Sequence, residues 1–544
     1  MRRDGMNQEE WNELRDLLNR WERSFRGGRK EFFDTDDYLR LSDYYLEQQK
    51  LAEAQNVLAR GLKETPSNAE LLLQRSRLLL YKGKKRDALD LLRKVESGAM
   101  AWNEDLRTET LVLKGIILVS MNKVWEAEQI FNTQLNVVRL DIKDEDELMS
   151  RVEMIENIAH AYQDADMRSR ALGYLDLALD LIKRYATMAF GNKEIEDIRW
   201  DIMIQKLYVL MEAHDEESLK RAGRFGNMML DENPYDEEVW FVMAQMYMQN
   251  GRFAEALEAY ENLSAIDPSN DYPVLQKARA LFHLKEYEKA ISCLNQLLNW
   301  DMTLLAHYTE GDRVYFLQMR AECEDQMKRY AASARSYREA INELKSIYSN
   351  SEIDEKNILE LDTYERNRLT QLYVNCGYAE LKQENHDVAL KYFKRAVQEN
   401  ATDTYALLSL ADEELRLGNF TEAQKIYQQV IEEEPDNVIA LAGASRVEIN
   451  KGNYKKASVL LSHARRIFED MSNGEATEDY EIYLLSAIAL FCHYQMSKNQ
   501  DATKIVEVLE CLRKALKYNE EAIELFFNTC PSAMVVFSQM KSEQ

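Results

Sequence analysis

Residues Gly251–Asn270 read GRFAEALEAYENLSAIDPSN. The stretch carries Phe253, Ala256, Tyr260 and Leu263, at steps of three, four and three residues. Those steps put all four side chains on one face of a helix. Pro268 follows five residues later, where a ring without an N–H ends the helix. The skeleton returns as Phe420, Ala423, Tyr427, Val430 and Pro435. Without the proline it returns as Tyr287, Ala290, Leu294, Leu297 and as Tyr454, Ala457, Leu461, Ala464.

The alanine indexes the register. It falls at Ala54, Ala88, Ala127, Ala171, Ala222, Ala256, Ala290, Ala389, Ala423 and Ala457, with Ser333 and Val508 at the two remaining positions. Five of the eleven gaps between these positions are 34 residues and none is shorter, which is the mark of a repeat array with insertions. A second apolar stripe precedes each block, for example Trp240, Met243, Ala244 and Tyr247. Each unit therefore reads as an antiparallel helix pair, A then B, packed closely where Ala or Ser occupies the crossing. Gln249-Asn250-Gly251, Leu417-Gly418-Asn419 and Lys451-Gly452-Asn453 supply residues that tolerate a left-handed backbone between A and B.

With these residues the sequence resembles the tetratricopeptide repeat family. The best unit, Glu237–Asn270, has Trp240, Met243-Ala244, Tyr247, Ala256, Tyr260 and Pro268 at the family's positions. Gly115 and Gly377 stand where the family most often has glycine, and other units carry Ala or Ser there. Pro66, Pro234, Pro268 and Pro435 match the family's closing proline. The resemblance implies an all-α protein, a right-handed α-α superhelical solenoid of about twelve helix pairs. One pair cannot bury both of its faces, so each unit needs neighbours.

The reading divides the chain into five parts. Residues 1–33 are an amphipathic capping helix, with Trp11, Leu14, Leu18, Trp21 and Phe25 on its apolar stripe, and a Gly-rich joint. Residues 34–348 hold about eight repeats as a first arm, and 349–368 form a charged insertion or hinge. Residues 369–518 hold about four repeats as a second arm, and 519–544 a closing helix. The charged insertions Leu140–Arg151 and Phe190–Arg199 are expected to be longer helices or exposed loops.

Composition agrees and excludes other classes. The 544 residues include 18 Gly and 6 Pro, against roughly 38 and 27 at average usage, too few for a β-rich fold with many tight turns. Lys and Arg number 69 and Asp and Glu 95, a net charge of −26. That charge repels phosphate backbones, so nucleic acid is not an expected partner. The densest basic run, Lys82–Arg86 (KGKKR), reads as a solvated loop. Six dispersed cysteines without a C-x-x-C pair suit a reducing compartment. The N-terminal residues show no secretory pattern and no long apolar run follows, so the expected location is the cytoplasm, with no membrane span.

The seven histidines never pair at helical metal-site spacing, and no phosphate loop, dinucleotide fingerprint or nucleophile elbow occurs. The reading is therefore a non-enzyme without cofactor. The family resemblance implies a protein or peptide partner held in a concave groove lined by the A helices. In the family the second, fifth, sixth, ninth and twelfth positions of each repeat unit face that groove. Here Arg77, Arg279, Tyr378 and Arg446 are the best candidates among those positions, because Arg and Tyr are enriched at interface hot spots. The function expected is a scaffold or adaptor; the alternative is a non-catalytic regulatory or assembly subunit of an enzyme complex. Homo-oligomerisation stays open.

Overall fold

A computed structural model describes residues 8–26, 31–97, 104–138, 142, 144–186, 193–212, 215–300, 307–308, 310–350, 358–471, 480–497 and 502–519. Among these residues there are 25 helices and no strand, as the repeat reading requires. The chain divides into two compact units, Met1–Asn250 and Gly251–Gln544. The first holds α1 (Gln8–Arg26), then the A/B pairs α2 (Thr35–Glu47) and α3 (Leu51–Glu64), α4 (Ala69–Tyr81) and α5 (Lys85–Ser97), α6 (Glu104–Ser120) and α7 (Val124–Val138), α8 (Glu145–Asp164) and α9 (Arg168–Ala186), α10 (Lys193–Met211) and α11 (Glu216–Glu232), and lastly α12 (Glu237–Gln249). The second opens with α13 (Phe253–Ile266). It continues with α14 (Tyr272–His283) and α15 (Tyr287–Asn299), α16 (Glu310–Gln326) and α17 (Tyr330–Asn350), α18 (Ile358–Leu381) and α19 (His386–Glu399). The last pairs are α20 (Thr404–Arg416) and α21 (Phe420–Glu433), α22 (Val438–Asn450) and α23 (Tyr454–Met471), α24 (Tyr480–Met496) and α25 (Ala502–Tyr518). Counting α12 as A and α13 as B, the alternation occurs twelve times.

The index residues explain the packing. All ten alanines and Ser333 are fully buried, and Val508 is nearly so. Each sits in a B helix, where a larger side chain would push the neighbouring A helix away. In two repeats the partner across the crossing is a bare backbone. A Cβ added to Gly115 would lie 2.3 Å from the Phe131 ring, and one added to Gly377 would lie 2.5 Å from the Phe393 ring. Glycine is there to admit a large aromatic from the B helix, and both rings are fully buried.

The turn from A to B is stereotyped. Among the described residues ten have φ between +55 and +81, each five positions before its index residue. Four are glycines, Gly83, Gly251, Gly418 and Gly452; the other six are Gln49, Asn122, Asp166, Lys285, Lys328 and Glu384. The residue after the turn donates its N–H to a carbonyl five residues back, as in Lys84 to Leu79 (2.8 Å), Lys123 to Leu118 (2.9 Å) and Asn453 to Glu448 (2.8 Å). This is the hydrogen bond that satisfies the last carbonyls of a helix ending in a left-handed residue. Glycine content thus reveals less than half of the turns that exist.

Three successive turns of the second unit carry an additional fastening. Asn385, Asn419 and Asn453 each donate a side-chain hydrogen bond to the glutamate five residues earlier, Glu380 (2.8 Å), Glu414 (2.6 Å) and Glu448 (2.7 Å). All three glutamates are buried, so the amide compensates carboxylates that have left water. The A helices begin on Asp or Asn caps. Asp34, Asn68, Asp236, Asp403 and Asn437 each accept the N–H of the residue three ahead.

At the N-terminal end, Leu17 and Trp21 of α1 share one core with Phe33, Tyr38, Leu41 and Ala54. The Arg60 guanidinium stacks over Trp21 and Phe33 at 5.3 and 5.1 Å. Residues 27–30, expected to be a joint, and 520–544, expected to close the array, lie outside the described residues. The charged insertions are largely helix. The A helices α8, α10 and α18 have 20, 19 and 24 residues, against 13 in α4 or α20. Of the stretch 349–368, the first two residues end α17 and the last eleven belong to α18, which pack on each other, while 351–357 lie outside the described residues.

Candidate functional site

Neighbouring A helices run side by side, so a long polar side chain on one can reach its counterpart on the next. In the first unit this makes a relay. Gln74 of α4 donates to Asp43 of α2, and Arg77 of α4 donates to Gln74 at 3.1 Å. Arg77 then pairs with Glu109 of α6. About 40% of both partners' side-chain surface stays open to solvent (39% and 43%). A pair so placed contributes roughly 0–1 kcal/mol.

The second unit has two such arrangements, which meet on α20. The Tyr378 hydroxyl of α18 shares a hydrogen bond with Ser409 of α20 at 2.9 Å. Its ring lies edge-on to Phe393 at 5.3 Å and tilted against Tyr405 at 5.9 Å. Tyr405 remains 48% exposed. One helix further, Arg446 of α22 lies between Asp412 of α20 (3.9 Å) and Glu481 of α24 (3.3 Å). Asp412 also accepts a hydrogen bond from the Tyr427 hydroxyl. Burial, and after it the neighbouring Asp412 carboxylate, push the Tyr427 hydroxyl far above its ordinary range, so it stays a donor. Among the described residues, Arg279 of α14 donates locally, to Gln276 at 3.3 Å.

Arg77 lies in the first unit, and Arg279, Tyr378 and Arg446 in the second. In the second unit the three sit on alternate A helices and have different partners; each is surrounded by its own repeat neighbours. Another ninth-position residue, Glu322 of α16, is pushed up by burial while Gln318 donates to it at 3.0 Å. The partners Tyr405, Ser409 and Glu481 were not singled out from the sequence. The available signal was opposite charge, or paired hydroxyls, at facing positions about 30 residues apart. These groups are donors, acceptors and rings arranged for contact.

A family model described as tetratricopeptide repeat matches residues 247–308 and 414–476, and a second of the same description matches 39–102. The three matched regions fall on the helix pairs whose index alanines, turns and closing prolines have just been described. The chain is a tetratricopeptide repeat protein. No curated protein sequence matches it. Solved structures with similar repeat architecture include the APC/C hetero-tetramer Cut9-Hcn1, 14% identical over 91% of this chain and 90% of that one, at a TM-score of 0.33. Yeast Tom70 is also 14% identical, over 91% of this chain and 99% of its own, at 0.33. YrrB, described as a TPR protein with an unusual peptide-binding site, is 20% identical over 39% of this chain and 93% of its own, at 0.28. At these identities and scores none of them speaks to what this repeat protein binds. Among the described residues no helix is long and apolar enough to cross a membrane.

Proposed function

We propose that this tetratricopeptide repeat protein is a non-catalytic scaffold or adaptor of the cytoplasm, holding a protein or peptide partner along the face its A helices share. The observation that carries the reading is the set on α18, α20, α22 and α24. A tyrosine pair (Tyr378, Tyr405), of which Tyr405 is about half exposed, adjoins on α20 a carboxylate–arginine–carboxylate bridge (Asp412, Arg446, Glu481). Aromatic and arginine side chains that keep solvent access on a rigid helix lose little entropy on binding, which is what interface anchors need. Arg77 and Arg279 extend the same reading to other repeats. The net charge of −26 favours a basic or neutral partner by long-range complementarity.

The test is affinity capture from cell extract with the wild-type chain and with a Tyr378→Ala/Arg446→Ala double variant, read by mass spectrometry. Partners captured by the wild type should be lost or reduced about tenfold with the variant. A single enzyme recovered at equal stoichiometry would shift the reading to an assembly subunit. Partners that are retained in full by the variant would remove the site from this face.

A further inference from the structure

The basic run Lys82–Arg86 does not end as a free loop. Lys82 caps α4, Gly83 turns the chain at a φ of +71, and Lys85 and Arg86 begin α5. Lys85 donates to the Ser120 carbonyl of α6 at 2.6 Å, which fixes the turn against the next repeat. Lys82 and Lys84 then overhang a cleft of about 490 Å³ between α3, α4 and α5. Its floor includes Leu58 and Leu78, both buried in the core. Its rim carries four bases, Arg75, Lys82, Lys84 and Lys94, against two acids, Asp87 and Asp90.

One of the two acids is engaged elsewhere. Asp90 is already held by Arg93 at 2.8 Å. Among the described residues, Lys82 donates to the neutral amide of Gln55, not to a carboxylate. In a chain with 95 acids to 69 bases, a recess lined two to one by bases reverses the whole-molecule sign. The cleft is also separate from the A-helix face. At 100° per residue, Arg75, Leu78 and Lys82 occupy a different side of α4 from Gln74 and Arg77.

We propose that this cleft is a second binding site, for a short acidic peptide segment. One apolar side chain of the segment seats on Leu58 and Leu78, and its carboxylates meet Arg75, Lys82, Lys84 and Lys94. The volume is that of an ordinary ligand recess, and its apolar floor suits a side chain. Nucleic acid fits less well. None of the described residues lining the cleft is aromatic, so it offers no stacking platform, and a longer phosphate chain would run out onto a strongly acidic surface.

Fluorescence anisotropy of the full chain at low salt tests this, with a labelled short Glu/Leu peptide as probe and its Lys/Leu counterpart as control. Variant Arg75→Glu/Lys84→Glu reverses two exposed charges, and circular dichroism checks that it folds. The expected result is saturable binding of the Glu/Leu peptide only, weakened about tenfold or more by the double reversal and by added salt. No binding, equal binding of the Lys/Leu peptide, or an affinity unmoved by the reversal would each overturn the site. A single-stranded oligonucleotide that binds the cleft more tightly than the peptide would overturn the peptide assignment. Should the double reversal unfold the chain, the single exposed change Lys84→Glu, expected to weaken binding severalfold, takes its place.

Discussion

At Gly377 intrinsic preference and packing point in opposite directions. Alanine is the better helix former by about 1 kcal/mol, so Gly377→Ala, within the C-terminal part of α18, would stabilise an isolated helix. In the folded repeat the new methyl would sit 2.5 Å from the Phe393 ring. Overpacking of that kind costs about 1–3 kcal/mol and outweighs the propensity gain. The expected outcome is a net loss of roughly 1–2 kcal/mol in urea unfolding, largely restored when Phe393→Leu is added. A Gly377→Ala variant that is more stable than wild type would show that the ring yields freely. The sequence identified this position as a family glycine, and the reason for it lies in a ring sixteen residues away. The same holds for the binding candidates. Arg446 could be picked by its place in the repeat, but Asp412 and Glu481 on either side of it belong to other repeats, and single-repeat periodicity does not carry such pairings.

For the helix pair as an element, the fold was legible almost throughout. Steps of three and four residues marked the buried faces, and the index positions counted the pairs. The turns were less visible, because the Schellman geometry recurs whether or not glycine is present. Lys285 and Lys328 adopt φ of +61 and +60, which costs an L-residue about 1–2 kcal/mol. Part of that cost is recovered in the unfolded chain, where glycine has more freedom to lose. Replacing either by glycine should therefore raise stability by about 0.5 kcal/mol, seen as a higher thermal midpoint. As a control, Gln296→Gly, on the exposed side of α15, should lower it by about 1 kcal/mol. Equal effects of the two kinds of substitution would show that the turn conformation exerts no strain. The Glu-x-x-x-x-Asn fastening at 380–385, 414–419 and 448–453 was present in the sequence as a spacing, yet ordinary charge patterning hides it among 95 acids.

Across the whole molecule, stability should behave as a sum of repeat and neighbour terms. Ala423 is fully buried at the crossing of α20 and α21. Ala423→Met should overpack that crossing by about 1–3 kcal/mol. Hydrogen exchange read by mass spectrometry should then speed up in α20–α23 while α2–α5 keep their protection. Loss of protection across both units would show a single cooperative core. Net charge was the least informative whole-molecule quantity. It named the sign of the molecule, but the four bases around Leu58 and Leu78 are a local exception that an average over 544 residues conceals.

The side chains of the A-helix face already hold one another. A partner that meets Arg446 does not find an idle cation; a neutral acceptor group displaces a contact that Asp412 or Glu481 now supplies and a basic group takes the carboxylate released, and Arg77 stands in the same relation to Glu109. Recognition there is an exchange reaction with an internal competitor. The number of local ion pairs before and after is nearly equal, so added salt weakens both sides of this exchange alike, and the salt dependence of the affinity reports the long-range charge rather than these contacts. Discrimination then rests on how well a newcomer's geometry improves on the resident carboxylates, a filter that charge alone cannot pass.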